Sequence, residues 1–281
     1  MRLIYAVLVA SAAVGCAPTA QPRGRSVTVT KTQQRGPVVQ ATVPRNPNVD
    51  PQADALLRQM SDELRRMHSF EFDTTQVMEV VTHDGQRIQG LSSSRVSVER
   101  PNRLRTDRKG LLGGSSVYYD GRNLTVYGKR DNLYATSPAP RTLDATIDFA
   151  RDQLSIDAPA ADLLYSDPYR ALMEEVVSGK YLGEEPIGGR TCHHLAFRNR
   201  ETDWQIWIEA GAQPLPCRMV ITSKTETGNP QYEISMFNWQ LGVRTPPGMF
   251  VFQPPVGARR VDFVTVKDQV TQEQQHPEAR R

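Results

Sequence analysis

The sequence predicts an α+β fold: a single strongly curved antiparallel sheet of about eleven strands, an open half-barrel, with a helical lid on its concave face. Three observations predict it. Period-two alternation of apolar and polar residues recurs from Phe70 to Leu241, punctuated by turns such as Asp84-Gly85, Asp120-Gly121 and Gly228-Asn229-Pro230. Helical signals occur only near residue 51 and within 142–178. A sheet of so many strands must curl or split, and so few helices can cover only one of its faces.

The chain opens with Arg2 and an apolar run from Leu3 to Val14, followed by Gly15 and Cys16. A charged start, a short apolar core and small residues before a cut site describe an export signal too short to span a bilayer. Ala13-Val14-Gly15-Cys16 resembles the lipobox of bacterial lipoproteins. The resemblance implies removal of residues 1–15 and acylation of Cys16, whose chains would anchor the protein at about 0.8 kcal/mol per buried CH₂. Ala13 and Gly15 also suit an ordinary signal peptidase, which is the rival reading. Ala17 after the cysteine, rather than Asp, resembles the enteric sorting signal for the outer membrane over the inner one.

Residues 16–49 then form the lipidated cysteine and a disordered tether. Pro18, Pro22, Pro37, Pro44 and Pro47 with Gln, Thr and Arg between them bury too little apolar area to offset ordering. Such a chain spans roughly 30 Å root-mean-square. A short strand through Val27, Val29, Val38 and Val39 is the alternative. The body covers 50–266, and 267–281 is a second disordered tail. The whole chain carries 34 basic and 31 acidic residues. Its basic excess lies in the two flanks, which leaves the body slightly acidic. A nucleic-acid partner is therefore disfavoured.

Asp50 is a natural N-cap and Pro51 suits the first helical position. Leu56, Met60, Leu64 and Met67 follow at helical spacing. From Phe70 the period changes to two. Strands are expected from Phe70 to Val80 and at 87–99, 103–108, 115–119, 123–128 and 132–136. Leu143, Ile147 and Leu154 restore helical spacing, and Asp167-Pro168 marks another helix start. After Gly179 the strands resume at 180–185, 190–198, 203–209, 216–225, 231–241 and 259–265, with Glu184-Glu185 expected in a solvated turn.

Several stretches are similar to a family of predicted periplasmic proteins, domain of unknown function family 2092. They are Tyr181-Leu182-Gly183, Cys192-His193-His194-Leu195-Ala196-Phe197, Asp203-Trp204-Gln205-Ile206-Trp207-Ile208-Glu209 and Pro214-Leu215-Pro216. Upstream, Tyr119-Asp120-Gly121, Leu133-Tyr134-Ala135 and Asp162-Leu163-Leu164-Tyr165-Ser166-Asp167-Pro168-Tyr169 match too. The resemblance implies a periplasmic half-barrel with a helical lid, like the lipoprotein carriers LolA and LolB and the mycobacterial lipid-binding lipoproteins. It implies no reaction.

Chemical motifs are sparse. His193 and His194, as neighbours on a strand, point to opposite faces and cannot chelate one ion. Cys192 and Cys217 are the cysteines left after Cys16, but strand parity turns Cys192 outward and Cys217 inward. The strand between them would also hold them about 9.6 Å apart, so a disulfide is not expected unless a bulge or direct strand pairing intervenes. Ser115 and Ser116 lack a nucleophile elbow, and there is no phosphate loop or dinucleotide fingerprint. No cofactor, metal or catalytic group is expected.

The apolar stripes carry the functional expectation. Leu195, Phe197, Trp204, Ile206, Ile208, Met219 and Ile221 should share one inner face, extended by Tyr232, Ile234 and Met236 on one side and by Leu124, Val126 and Leu133 on the other. Either this is simply the core beneath the helices, or part of it lines a cavity for a lipid or the acyl part of a lipoprotein. Two functions follow: a non-catalytic, membrane-anchored periplasmic binder of a hydrophobic ligand, or an envelope protein-interaction module with a fully packed interior. A hydrolase stands behind both.

Overall fold

Asp50 caps the first helix as expected. Its Oδ1 accepts hydrogen bonds from the N–H groups of Gln52 (2.7 Å) and Ala53 (3.4 Å), two donors that the first helical turn leaves without partners. Helix α1 (Pro51–Arg66) follows. The computed structural model describes residues 46–110 and 113–263. The signal, Cys16, nearly all of the tether and the tail lie outside the described residues.

The buried stripe of α1 runs through Ala53, Leu57, Met60 and Leu64, so it passes through Leu57 where the sequence suggested Leu56. It also buries Asp54 and Ser61, for a reason given below. Eleven long strands follow the sequence closely: β1 (Ser69–Val81), β2 (Arg87–Glu99), β3 (Arg103–Gly110), β4 (Ser115–Tyr119), β5 (Asn123–Gly128), β6 (Leu133–Pro138), β7 (Ser178–Ile187), β8 (Arg190–Arg198), β9 (Thr202–Glu209), β10 (Pro216–Ser223) and β11 (Gln231–Leu241). Between β6 and β7 lie α2 (Leu143–Leu154), a 3₁₀ turn (Ala161–Leu164) and α3 (Pro168–Met173). Thr142 and Asp167 cap the two helices through their side-chain oxygens.

A short twelfth strand, β12 (Arg259–Arg260), completes the set. All strands belong to one unclosed sheet, in the order β12-β6-β5-β4-β3-β2-β1-β11-β10-β9-β8-β7. β1 and β11 pair in its centre, so the first long strand meets the last long one. The final strand departs from expectation: it is only two residues long, and it pairs parallel with β6. Prolines 246, 247, 254 and 255 deny the preceding segment the N–H groups a ladder needs. It crosses the convex face instead, where Phe252 lies 5.0–5.5 Å from the rings of Tyr118, Tyr127 and Tyr134.

A second departure concerns Glu184-Glu185. Both lie within β7, not in a turn. The reversal occurs at Gly188 and Gly189, whose φ of 57° and 81° suit the left-handed region that residues with a Cβ avoid.

The third departure is the disulfide. Cys192 and Cys217 are joined, with Cα atoms 7.0 Å apart. Strand β9 does separate them, as the sequence implied. However, Pro216 faces Ile208 while Arg218 faces Trp207, which makes Cys217 the extra residue of a bulge. The bulge turns Cys217 to the convex face and shortens the span across β9. Both cysteines are fully buried in a cluster with Trp207, Val220 and Ile187.

Candidate functional site

Register places every residue of the expected inner stripe on one face of the sheet. Phe197 lies opposite Trp204, which lies opposite Ile221, which lies opposite Tyr232. One step along, Leu195, Ile206, Met219 and Ile234 form a second transverse row. Ile208 extends this face further along β9. Across the sheet, Leu124 lies beside Tyr119, Val126 beside Val117, and Leu133 opposite Gly128.

Burial divides these residues. Leu124, Leu195, Phe197, Trp204, Ile206, Ile208, Met219 and Ile234 are buried, and Phe197 stacks on Trp204 with ring centroids 4.2 Å apart. Val126, Leu133, Ile221 and Tyr232 are half-buried. The first group lies mostly on β8–β11, where α1 and α3 complete the core. The second lies at the margins of that covered area.

Between the apolar halves runs a polar strip that the sequence reading did not single out. Gln76 donates from Nε2 to Thr74 Oγ1 (3.1 Å) and Ser94 Oγ (3.2 Å), and its Oε1 accepts from Ser92 (3.0 Å). Thr74, Ser92 and Ser94 are buried. Their hydroxyls are tolerated there because each has a hydrogen-bond partner within the strip. The signal was visible: Gln76, Thr74, Ser92 and Ser94 occupy the parity of Phe72 and Val96.

The cover has two parts of unequal hold. α3 is bound to α1 by a buried polar joint. The Tyr169 hydroxyl donates to Asp54 Oδ1 (2.5 Å) and accepts from Arg58 (2.6 Å), and the Tyr169 N–H donates to Ser61 Oγ (2.9 Å). This joint explains why Asp54 and Ser61 lie on the buried stripe of α1. α2, by contrast, buries only Leu143, Thr146 and Leu154. It is tied chiefly to its neighbour in sequence: Asp144 accepts from Ser166 N–H (2.9 Å), and Asp148 accepts from the Tyr165 hydroxyl (2.6 Å). Its N-terminus meets the sheet region where Leu143 N–H donates to Pro101 O and Tyr119 donates to Pro140 O.

Closing this cover leaves unfavourable electrostatics in place. Arg100 donates to the Leu164 carbonyl (2.9 Å) and lies over Phe70, but its Nε and Nη2 are buried without a hydrogen-bond partner among the described residues. Burial lowers the pKa of its guanidinium. Burial also raises the carboxyl pKa of Asp162, more than the favourable charge of Arg151 offsets. Each of these groups would gain water if α2 and the 3₁₀ turn lifted.

On the convex face, His194 stacks on Trp207 at 4.0 Å, and its ring nitrogens contact Glu185 (3.0 Å) and Gln205 (2.9 Å). The Trp207 indole and His194 hold the Glu185 carboxyl below its ordinary range. His193 faces the other way, beside Tyr181 (3.2 Å). Among the described residues, no group of three or more metal-ligating side chains converges.

The family model for predicted periplasmic proteins of domain of unknown function 2092 matches residues 53–264. The chain belongs to this family. No curated protein matches the DUF2092 chain. Among solved structures, an uncharacterised conserved protein from Thermus thermophilus is 12% identical, with 75% of this chain and 99% of that one covered and a TM-score of 0.46. The lipoprotein LppX of Mycobacterium tuberculosis is 16% identical, with 70% and 100% covered and a TM-score of 0.44. A LolA superfamily protein from Nitrosomonas europaea is 12% identical, with 71% and 97% covered and a TM-score of 0.37. At these values nothing about ligand or mechanism is transferred to the DUF2092 chain.

Proposed function

We propose that this protein is a membrane-anchored, periplasm-facing binder of a hydrophobic ligand, a lipid or the acyl part of a lipoprotein, and that it acts without covalent chemistry. The observation that carries the reading is the contrast between its two covers. Two apolar areas lie to either side of the polar strip on the concave face, and one of the covering helices, α2, is held mainly by polar ties to Tyr165 and Ser166. An acyl chain would lie against Val126, Leu133, Ile221 and Tyr232, at about 0.8 kcal/mol per buried CH₂. Native mass spectrometry of the purified body, repeated after organic extraction, tests this. A co-purifying lipid that extraction removes is the expected result, and a clean apo mass from the native membrane host counts against it.

A packed interaction module is the second reading, and one observation favours it. The partly open apolar pocket lined by Met78, Pro159, Ile221, Tyr232 and others measures about 40 Å³. That is close to the volume of one water molecule. In the closed state there is no room for a chain there, so the carrier reading requires the lid to open.

Anchoring rests on Cys16. The Cys16→Ser variant is expected to leave the membrane fraction and to lose incorporation of labelled palmitate. A wild-type protein that takes up no label would establish ordinary signal cleavage instead.

A further inference from the structure

The concave face holds an isolated charge. In the ladders β1–β6 and β8–β11, the register sends Lys, Arg, Asp and Glu side chains to the convex face, where Arg95 meets Asp73, Arg105 meets Asp107 and Arg218 meets Glu233. The exception among these strands is Arg108. It lies opposite Ser94 on β2 and Ser115 on β4, on the face of the covered stripe. Among the described residues it has no ion pair and no side-chain hydrogen bond. Its position is beside the polar strip of Gln76, Ser92 and Ser94, whose hydroxyls and amide already engage one another.

Across the groove, Tyr232 comes within electrostatic reach of Arg108 and of Asp157 from the loop after α2. Tyr232 is also one of the half-buried apolar margins, so its ring borders the acyl face within electrostatic reach of the cation. A cation alone on an inner face, next to a saturated polar strip and adjoining apolar surface, has the layout of a headgroup site. Arg108 is exposed, so solvent reaches its guanidinium; what sets it apart is its place on the face that the other charges of these strands avoid.

We infer that the ligand is an amphiphile with an anionic head, a carboxylate or a phosphate, that pairs with Arg108 while its chain lies against Val126, Ile221 and Tyr232. This rests on the carrier reading above and adds to it the class of ligand. The Arg fork suits either oxyanion, and such a charge-assisted contact is worth about tenfold in affinity.

The test compares three probes of one chain length on the full-length protein: dodecanoate, dodecyl phosphate and 1-dodecanol, each below its micellar concentration. Wild type is expected to bind at least one of the anions about tenfold more tightly than the alcohol, with the ratio falling as salt rises. Arg108→Gln is expected to bring that ratio near one, and Arg108→Glu to reverse it. Circular dichroism confirms that each variant is folded. Equal binding of anion and alcohol by wild type overturns the headgroup assignment and leaves the carrier reading standing. A ratio unchanged in folded Arg108→Gln overturns it as well. Binding of none of the three overturns both.

Discussion

Amide hydrogen exchange is expected to run through α2 (Leu143–Leu154) several orders of magnitude faster than through β8, β9 and β10, and to slow when a hydrophobic amphiphile is added. The reason is the distribution of burial. The strands carry fully buried Leu195, Ile206, Ile208 and Met219, whereas α2 contributes Leu143 and Leu154 as its buried apolar residues. Each large side chain fully buried contributes roughly 1.5–3 kcal/mol, so the sheet opens only near the global unfolding free energy while α2 lies far below it. α3 should not share this behaviour, because Tyr169 locks it to Asp54, Arg58 and Ser61. The sequence alone suggested one lid over 142–178, and the structure divides that segment into a loose half and a fixed half.

The same experiment has a pH dependence. Burial raises the carboxyl pKa of Asp162 in the closed state, so the closed state binds its proton more tightly than an open or unfolded state does. Its contribution to closure is therefore complete below the ordinary carboxylate pKa and is lost as pH rises through the raised value. After correction for intrinsic exchange rates, α2 should be better protected in mild acid than at neutral pH. Protection of α2 equal to that of the sheet, insensitive to pH and to lipid, would sink the lid and leave the packed interaction module.

The second large effect concerns the Cys192–Cys217 bridge. A Cys192→Ala, Cys217→Ala protein is expected to lose about 3.5 kcal/mol of stability, the loop-closure value for the 25-residue separation. Two more losses add to it, because both sulfurs sit at zero exposure against Trp207 and Val220, and alanine leaves a void there. Denaturant midpoints of oxidised wild type, reduced wild type and the double variant measure it. Reduction should reproduce most of the loss without the void. A reduced protein as stable as the oxidised one would show that the bridge contributes nothing. Glu185 lies on the same convex face. Its depressed carboxyl pKa adds stability that is present above the ordinary value and lost as pH falls.

Much of the fold was legible because strand alternation is a local property. Period two assigns each residue a face as soon as the strand is recognised, and the whole inner stripe from Leu124 to Ile234 could be placed without knowing which strands pair. Caps are equally local, and Asp50-Pro51 and Asp167-Pro168 started helices where their chemistry said they would. Cys217 shows where this reasoning ends. A bulge inverts parity for one residue, and nothing within Pro216-Cys217-Arg218 announces it, since it arises from pairing with β9. Glu185 was misplaced for a related reason: its partners Trp207 and His194 are remote in sequence.

By itself, then, the amino-acid sequence determined the sheet-and-lid architecture and the faces of its strands, since each follows from patterns within a dozen residues. Only the tertiary structure decided the pairing of Cys192 with Cys217, the parallel attachment of β12, the split of the lid and the isolation of Arg108. All four depend on what a residue meets across the sheet or across the groove. Those meetings are fixed by the curvature and register of the whole sheet, which no single strand encodes.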